Sequence, residues 1–316
     1  MGHITTVLGE IPTEELGYCQ CHEHLSIARN FFAGINPDIC IDDREKSTSE
    51  LLLYRAAGGR AIVDAQPAGC GRDAAMLEEI SRRSGVHVIA STGFHRMMYY
   101  PEDHWIHQYD CDRLTRLYIS ELTEGMYALC DVGEPGERIG CRAGQVKAAL
   151  DAGRVTDEYR KLLTAAADAA KETDRALMVH IEACSDPIGF ADFLYKTGIK
   201  PDRVIFCHMD RSVPDLAVHA EICARGVTLE YDTVARPKHH DDMREAGIIV
   251  KMLQNGYEDQ LLVSLDTTRS RLKSYGGSIG LDYIITSFIP LLKQTGVSAE
   301  IIKKLFVSNP ARIYSH

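Results

Sequence analysis

Nowhere in this sequence does an apolar run approach the ~20 residues that a bilayer-spanning helix requires, and positive charge is also scarce. The chain sets 35 Lys and Arg against 45 Asp and Glu, a net charge of −10. A nucleic-acid-binding surface is normally basic, so that class of partner is not expected. The ten cysteines follow no regular spacing and mostly sit in apolar stretches. That argues against a disulfide scaffold and fits reduced thiols. The opening Met1-Gly2-His3-Ile4-Thr5-Thr6 has neither the charged nor the apolar region of a secretory signal. Gly2 and Thr6 meet only a permissive myristoylation pattern. No linker or shift in composition divides the chain. The expectation is a cytoplasmic protein folded as one domain over residues 1–316, with neither nucleic-acid nor membrane partners and with a homodimer left open.

What is present is a steady alternation of short apolar runs and helical periodicity. Strands are expected to end at His22–His24 and to cover 60–64, 86–93, 138–146, 175–180, 202–208, 227–232 and 260–266. Helices are expected over 47–57, 72–84, 114–129, 157–173, 187–197, 214–225, 241–255, 280–295 and 298–305. Eight strands, most of them apolar almost throughout, alternate with helices. That is the pattern of a parallel barrel buried on both faces, a (β/α)8 TIM barrel. The irregular segment 94–112 carries Tyr99, Tyr100, Trp105 and Tyr109. It reads either as a pocket lining or as a lid packed on the barrel.

In such a barrel, chemistry sits at the carboxyl ends of the strands. Four of the eight expected strands end in strong metal ligands: His22 and His24, then His180, His208 and Asp266. Strand alternation puts both imidazoles of Cys21-His22-Glu23-His24 on one face. Cys19 and Cys21 then fall on the opposite face as packing, and Glu23 points out toward the helices. Five ligands exceed the need of one tetrahedral zinc with an open position. Two ions use them better, but need a bridging anion. The fourth strand offers no Glu for that purpose, only Lys147, whose ammonium two cations would repel.

The order His-x-His, Lys, His, His, Asp resembles the phosphotriesterase-related family of the amidohydrolase superfamily. Four stretches carry the likeness: Gly17-Tyr18-Cys19-Gln20-Cys21-His22-Glu23-His24, Pro201-Asp202-Arg203-Val204-Ile205-Phe206-Cys207-His208-Met209-Asp210, Leu262-Val263-Ser264-Leu265-Asp266 and Ser308-Asn309-Pro310-Ala311-Arg312. The resemblance implies two divalent ions, usually Zn2+, with Lys147 carboxylated by CO2 into a bridging carbamate. By the family pattern His22, His24 and Asp266 hold the more buried ion, His180 and His208 the more exposed one, and a hydroxide lies between them. The ions would acidify that water and polarise the substrate oxygen, while Asp266 passes the proton to the leaving group.

The loops after the seventh and eighth strands hold Arg236, Lys238, His239, Arg269, Arg271 and Lys273. Arg and Lys gathered at a pocket mouth suit an anionic substrate group. Resemblance to family members with basic loops implies a phosphorylated sugar lactone, its phosphate held by Lys238 and Arg269 and then by Tyr275. The family's lactonases carry Tyr near the third-strand end, where this chain has Thr92-Gly93-Phe94-His95, so the role of His95 stays open. The expected activity is metal-dependent opening of an anionic lactone. The alternatives are a promiscuous lactonase or phosphotriesterase acting on neutral esters, and a non-catalytic metal-binding barrel.

Overall fold

The computed structural model describes residues 2–153 and 155–316. Two short strands, β1 (His3–Thr6) and β2 (Gly9–Pro12), pair as an antiparallel hairpin that the sequence reading did not foresee. The barrel follows as β3 (Cys19–Glu23), β4 (Ala61–Asp64), β5 (His87–Ile89), β6 (Ser91–Gly93), β7 (Gln145–Leu150), β8 (Ala176–Ile181), β9 (Val204–Cys207), β10 (Thr228–Tyr231) and β11 (Leu261–Val263). All its ladders are parallel, in the orders β3-β4-β5 and β6-β7-β8-β9-β10-β11. β5 and β6 are one expected strand broken at Ala90, whose carbonyl accepts from the Gly144 and Gln145 N–H groups. The eight-stranded (β/α)8 expectation holds.

Alternate strand residues face inward, and Cys19, Cys21, Ala61, Val63, Met178, Ile205 and Leu262 form the barrel's inner core. Ile4, Leu16 and Tyr314 pack onto this cluster and tie the hairpin and the C-terminal segment to it. The outward residues, among them Ile62, Leu177, Phe206 and Val263, meet the helices in a second, larger core. The helix Asp157–Thr173 shows why those helices form where they do. Thr156 caps its first turn through Tyr159 N, alanines dominate its length, and Leu162, Leu163, Ala166 and Ala170 face inward. This helix and Pro187–Thr197 have the bounds expected from periodicity.

Three expectations need correction. The fourth strand is not 138–146 but Gln145–Leu150, so Lys147 lies within the strand. Arg138 instead bridges antiparallel to Tyr127, its guanidinium on Glu124, because the helix expected over 114–129 runs from Cys111 to Thr123 and frees that stretch. The helices expected over 280–295 and 298–305 are broken by wide π turns, Ile284–Phe288 and Lys304–Ser308, each leading into an α segment, Ile289–Gln294 or Asn309–Tyr314, whose second residue is Pro290 or Pro310. Proline has no N–H for the i→i−4 bond and crowds the preceding turn, which widens to accommodate the ring.

The third correction concerns the faces of β3. Register shifts between Gln20 and Glu23, so the strict alternation assumed for the first strand fails there. Cys19 and Cys21 belong to the barrel interior, on the side of His22 rather than opposite to it. Glu23 does not point at the helices. Its carboxylate accepts from Leu265 N at 2.9 Å, Thr267 N at 3.1 Å and Thr267 Oγ1 at 2.7 Å. The Ser264 hydroxyl accepts from Cys21 N and His22 N and donates to Glu230. Together with Asp266 N donating to the His22 carbonyl, these bonds close the barrel between β3 and β11.

Candidate metal centre

The inward ends of five strands bring His22, His24, Lys147, His180, His208 and Asp266 to one place. His24 Nε2 lies 3.4 Å and His22 Nε2 3.8 Å from Asp266 Oδ1. The His22 and His208 rings are 4.8 Å apart, and those of His180 and His208 4.4 Å apart. Lys147 pairs with Met178 and Ala149 with His180, so the lysine starts one inward position below His180. Its stem climbs to put Nζ 3.4 Å from His22 Nε2 and 3.5 Å from Cys207 Sγ. Gly93, at φ 100°, makes that close packing feasible, since a Cβ there would run into the Lys147 carbonyl.

His208 and Asp266 both end their strands in the left-handed region, at φ 65° and 49°. Such non-glycine strain persists only where the surroundings impose it, and it gathers at functional sites. Here the surroundings are a carboxylate and two guanidiniums. Asp232 accepts from His208 N at 3.0 Å and meets His208 Nδ1 at 2.8 Å, which orients the ring. Arg211 bridges Asp232 Oδ1 at 2.9 Å and Asp266 Oδ2 at 2.8 Å. Arg236 meets the same Asp266 oxygen at 3.1 Å.

Electrostatics prepares these groups for a cation. Burial pushes the His22, His208 and His180 imidazoles below their ordinary range, so they are neutral and can donate a lone pair. Burial opposes the charge of Asp266, but Arg236 and Arg211 outweigh it and hold the carboxyl well below the usual carboxylate range. Burial, and then the charge of Asp232, push Glu230 far up. The residues fit a divalent metal. His22, His24 and Asp266 present three buried donor atoms within 4.8 Å of one another, and His24 Nδ1 is buried without a hydrogen-bond partner among the described residues. Lys147 fits a carbamate better than an ammonium. It is 1% exposed among imidazoles and, among the described residues, has no carboxylate within ion-pair distance, a costly place for a bare positive charge.

His22, His24, His180, His208 and Asp266 floor a cavity of about 250 Å³ whose walls include Phe32, His95, Tyr99, Arg211, Arg236 and Lys238. The His95 ring lies tilted 5.3 Å from that of His180 and edge-on 4.3 Å from that of Tyr99. Segment 94–112 thus divides its work: Tyr99 lines the cavity, while Tyr100, Trp105 and Tyr109 are buried in the core. Arg269 and Tyr275 are not among the lining residues. Arg269 donates to the Cys40 carbonyl at 2.9 Å and lies 4.9 Å over the Tyr275 ring. The Tyr275 hydroxyl meets the Asp43 backbone and Ser47. Arg271 caps the carbonyls of Leu265, Asp266 and Val234, and Lys273 pairs with Asp282. The basic loops therefore send Arg236 and Lys238 to the cavity and His239 to a neighbouring one, while Arg269, Arg271 and Lys273 bond within the fold.

Glu230, Asp232 and Arg211 were not singled out from sequence. A signal existed for the first two: acids at i and i+2 of a buried strand must share its inward face.

The phosphotriesterase family profile matches residues 2–314. The chain belongs to that family. Within it, a phospho-furanose lactonase of Mycoplasmopsis synoviae is 30% identical over 318 residues, spanning 98% of this chain and 90% of that one. The crystal structure of an amidohydrolase from Mycoplasma synoviae superposes with a TM-score of 0.95 at 29% identity, covering 99% of this chain and 92% of the other. A Listeria monocytogenes lactonase gives 0.89 at 27% identity, covering 99% and 98%. This phosphotriesterase-family protein is accordingly a hydrolase, with His and Asp clusters able to hold metal.

Proposed function

We propose that the protein opens a phosphorylated sugar lactone by hydrolysis. The observation that carries this reading is one cavity shared by the histidine–aspartate cluster and by Lys238, Arg236 and Arg211, in a protein of net charge −10. The likeness to a phospho-furanose lactonase supports it. His22, His24 and Asp266 would hold one ion, His180 and His208 a second, and Lys147, as a carbamate, would bridge them. Two divalent ions, Zn2+ by the family pattern, would supply an acidified water and a Lewis acid for the carbonyl.

The chain's own residues do the rest. Asp266, aimed by Arg211 and Arg236, takes the proton released as water adds to the carbonyl carbon. It returns that proton to the ring oxygen when the C–O bond breaks, leaving a hydroxy acid. Lys238 meets the phosphate as a charged donor. His95 and Tyr99 wall the ring. Arg269 and Tyr275 hold the loop after Asp266 against segment 40–47 and so support the phosphate side of the cavity from behind.

Steady-state kinetics on a lactone with and without its phosphate test this. Lys238→Ala should raise KM at least ten-fold for the phosphorylated substrate alone, with metal content unchanged. Equal kcat/KM of the wild-type protein on both lactones, or faster turnover of a neutral phosphotriester, would overturn it.

A further inference from the structure

Behind the catalytic cavity lies a second one, of about 520 Å³, between the helix Asp242–Gln254 and the segment from Asp210 to Leu216. Arg211 and Lys238 stand in the wall between the two cavities and line both. The helix contributes Arg244, Gly247, Ile248 and Lys251, spaced i, i+3, i+4 and i+7, so one face is turned to this space.

Two independent features mark the space as more than a surface recess. The first is charge. Among the described residues, Lys238, Arg244 and Lys251 have no ion-pair partner: Asp210, the acid that lines the same space, accepts from Thr233 N, Asp232 and Asp266 pair with Arg211, and Glu245 meets His240. The surplus is felt locally, since burial and then the Arg236 and Arg211 charges lower the Lys238 ammonium from its ordinary range. The second is Gly247. A mid-helix glycine costs ~1 kcal/mol relative to alanine, yet among the described residues a Cβ here would meet no atom within 4 Å. The glycine is not demanded by protein packing. It leaves room on the one face that carries Arg244 and Lys251.

We propose that this cavity is a second anion site, which takes a small phosphate-bearing molecule between Arg244 and Lys251 of the helix and Lys238 of the dividing loop. The proposal stands on the cavity and its cations, not on the lactone reading, and its test reads binding rather than turnover. A metal-loaded protein is titrated calorimetrically with inorganic phosphate at low ionic strength. Two phosphates per chain are expected for the wild type. Gly247→Leu, which fills the space with a better helix former, should bind one fewer than the wild type. The Arg244→Ala/Lys251→Ala double variant, at two exposed positions, should weaken the second site at least ten-fold. In both variants lactone hydrolysis measured without phosphate should match the wild type. Phosphate binding that neither variant weakens overturns the proposal, as does a wild-type protein that binds no phosphate.

Discussion

Glu245 keeps its proton to about pH 8, against an ordinary carboxyl value of 4.5. Burial is the main cause. A hydrogen bond with Asp210 opposes it, and the Asp232 and Asp242 charges add to it. The folded chain therefore binds more protons than the unfolded chain between pH 4.5 and about 8. Stability from this group is full below that window and is lost as pH rises through it. Glu245→Gln, which fixes the neutral form, should flatten the fall in Tm between pH 5 and pH 8.5. A variant whose Tm falls as steeply as that of the wild type would show that Glu245 does not set the slope.

At the scale of elements, the seam between β3 and β11 depends on side chains in place of a ladder. Ser264→Ala would strip Cys21 N, His22 N and Glu230 of a shared partner. Leaving buried polar groups unpaired costs about 1–3 kcal/mol each. A loss of at least 2 kcal/mol in denaturant unfolding is expected, together with weaker metal retention because His22 is no longer held. An unchanged unfolding midpoint would count against this account of the seam. The same seam marks the limit of reading from sequence. Periodicity placed the helices Asp157–Thr173 and Pro187–Thr197 because their apolar stripes are local facts. The shift at Gln20–Glu23 is not local. It answers to Ser264, more than 240 positions away, so alternation along β3 gave the wrong face for the cysteines and for Glu23. The fourth strand was misplaced for a related reason: Val146-Lys147-Ala148-Ala149-Leu150 suits a helix as well as a strand, and only pairing with β6 and β8 decides.

For the whole molecule, the histidine–aspartate cluster able to hold metal joins distant parts of the chain. Any ion bound there by the folded state alone stabilises all of it. Stripping divalent ions with a chelator should abolish hydrolysis and lower Tm, with zinc restoring both. Full activity after verified removal would return the barrel to a metal-free function.

By itself the sequence determined the alternating α/β order, the residues suited to metal at the strand ends and the family. Each is written in composition and in motifs a few residues long. Only the tertiary structure decided which cations line the cavity. Arg211 and Arg236 clasp Asp266 and Lys238 lines the wall, while Arg269 and Tyr275 turn to segment 40–47. Past a strand end, the direction of a long side chain depends on the path of its loop and on partners from remote parts of the chain, and neither leaves a periodic trace in the sequence.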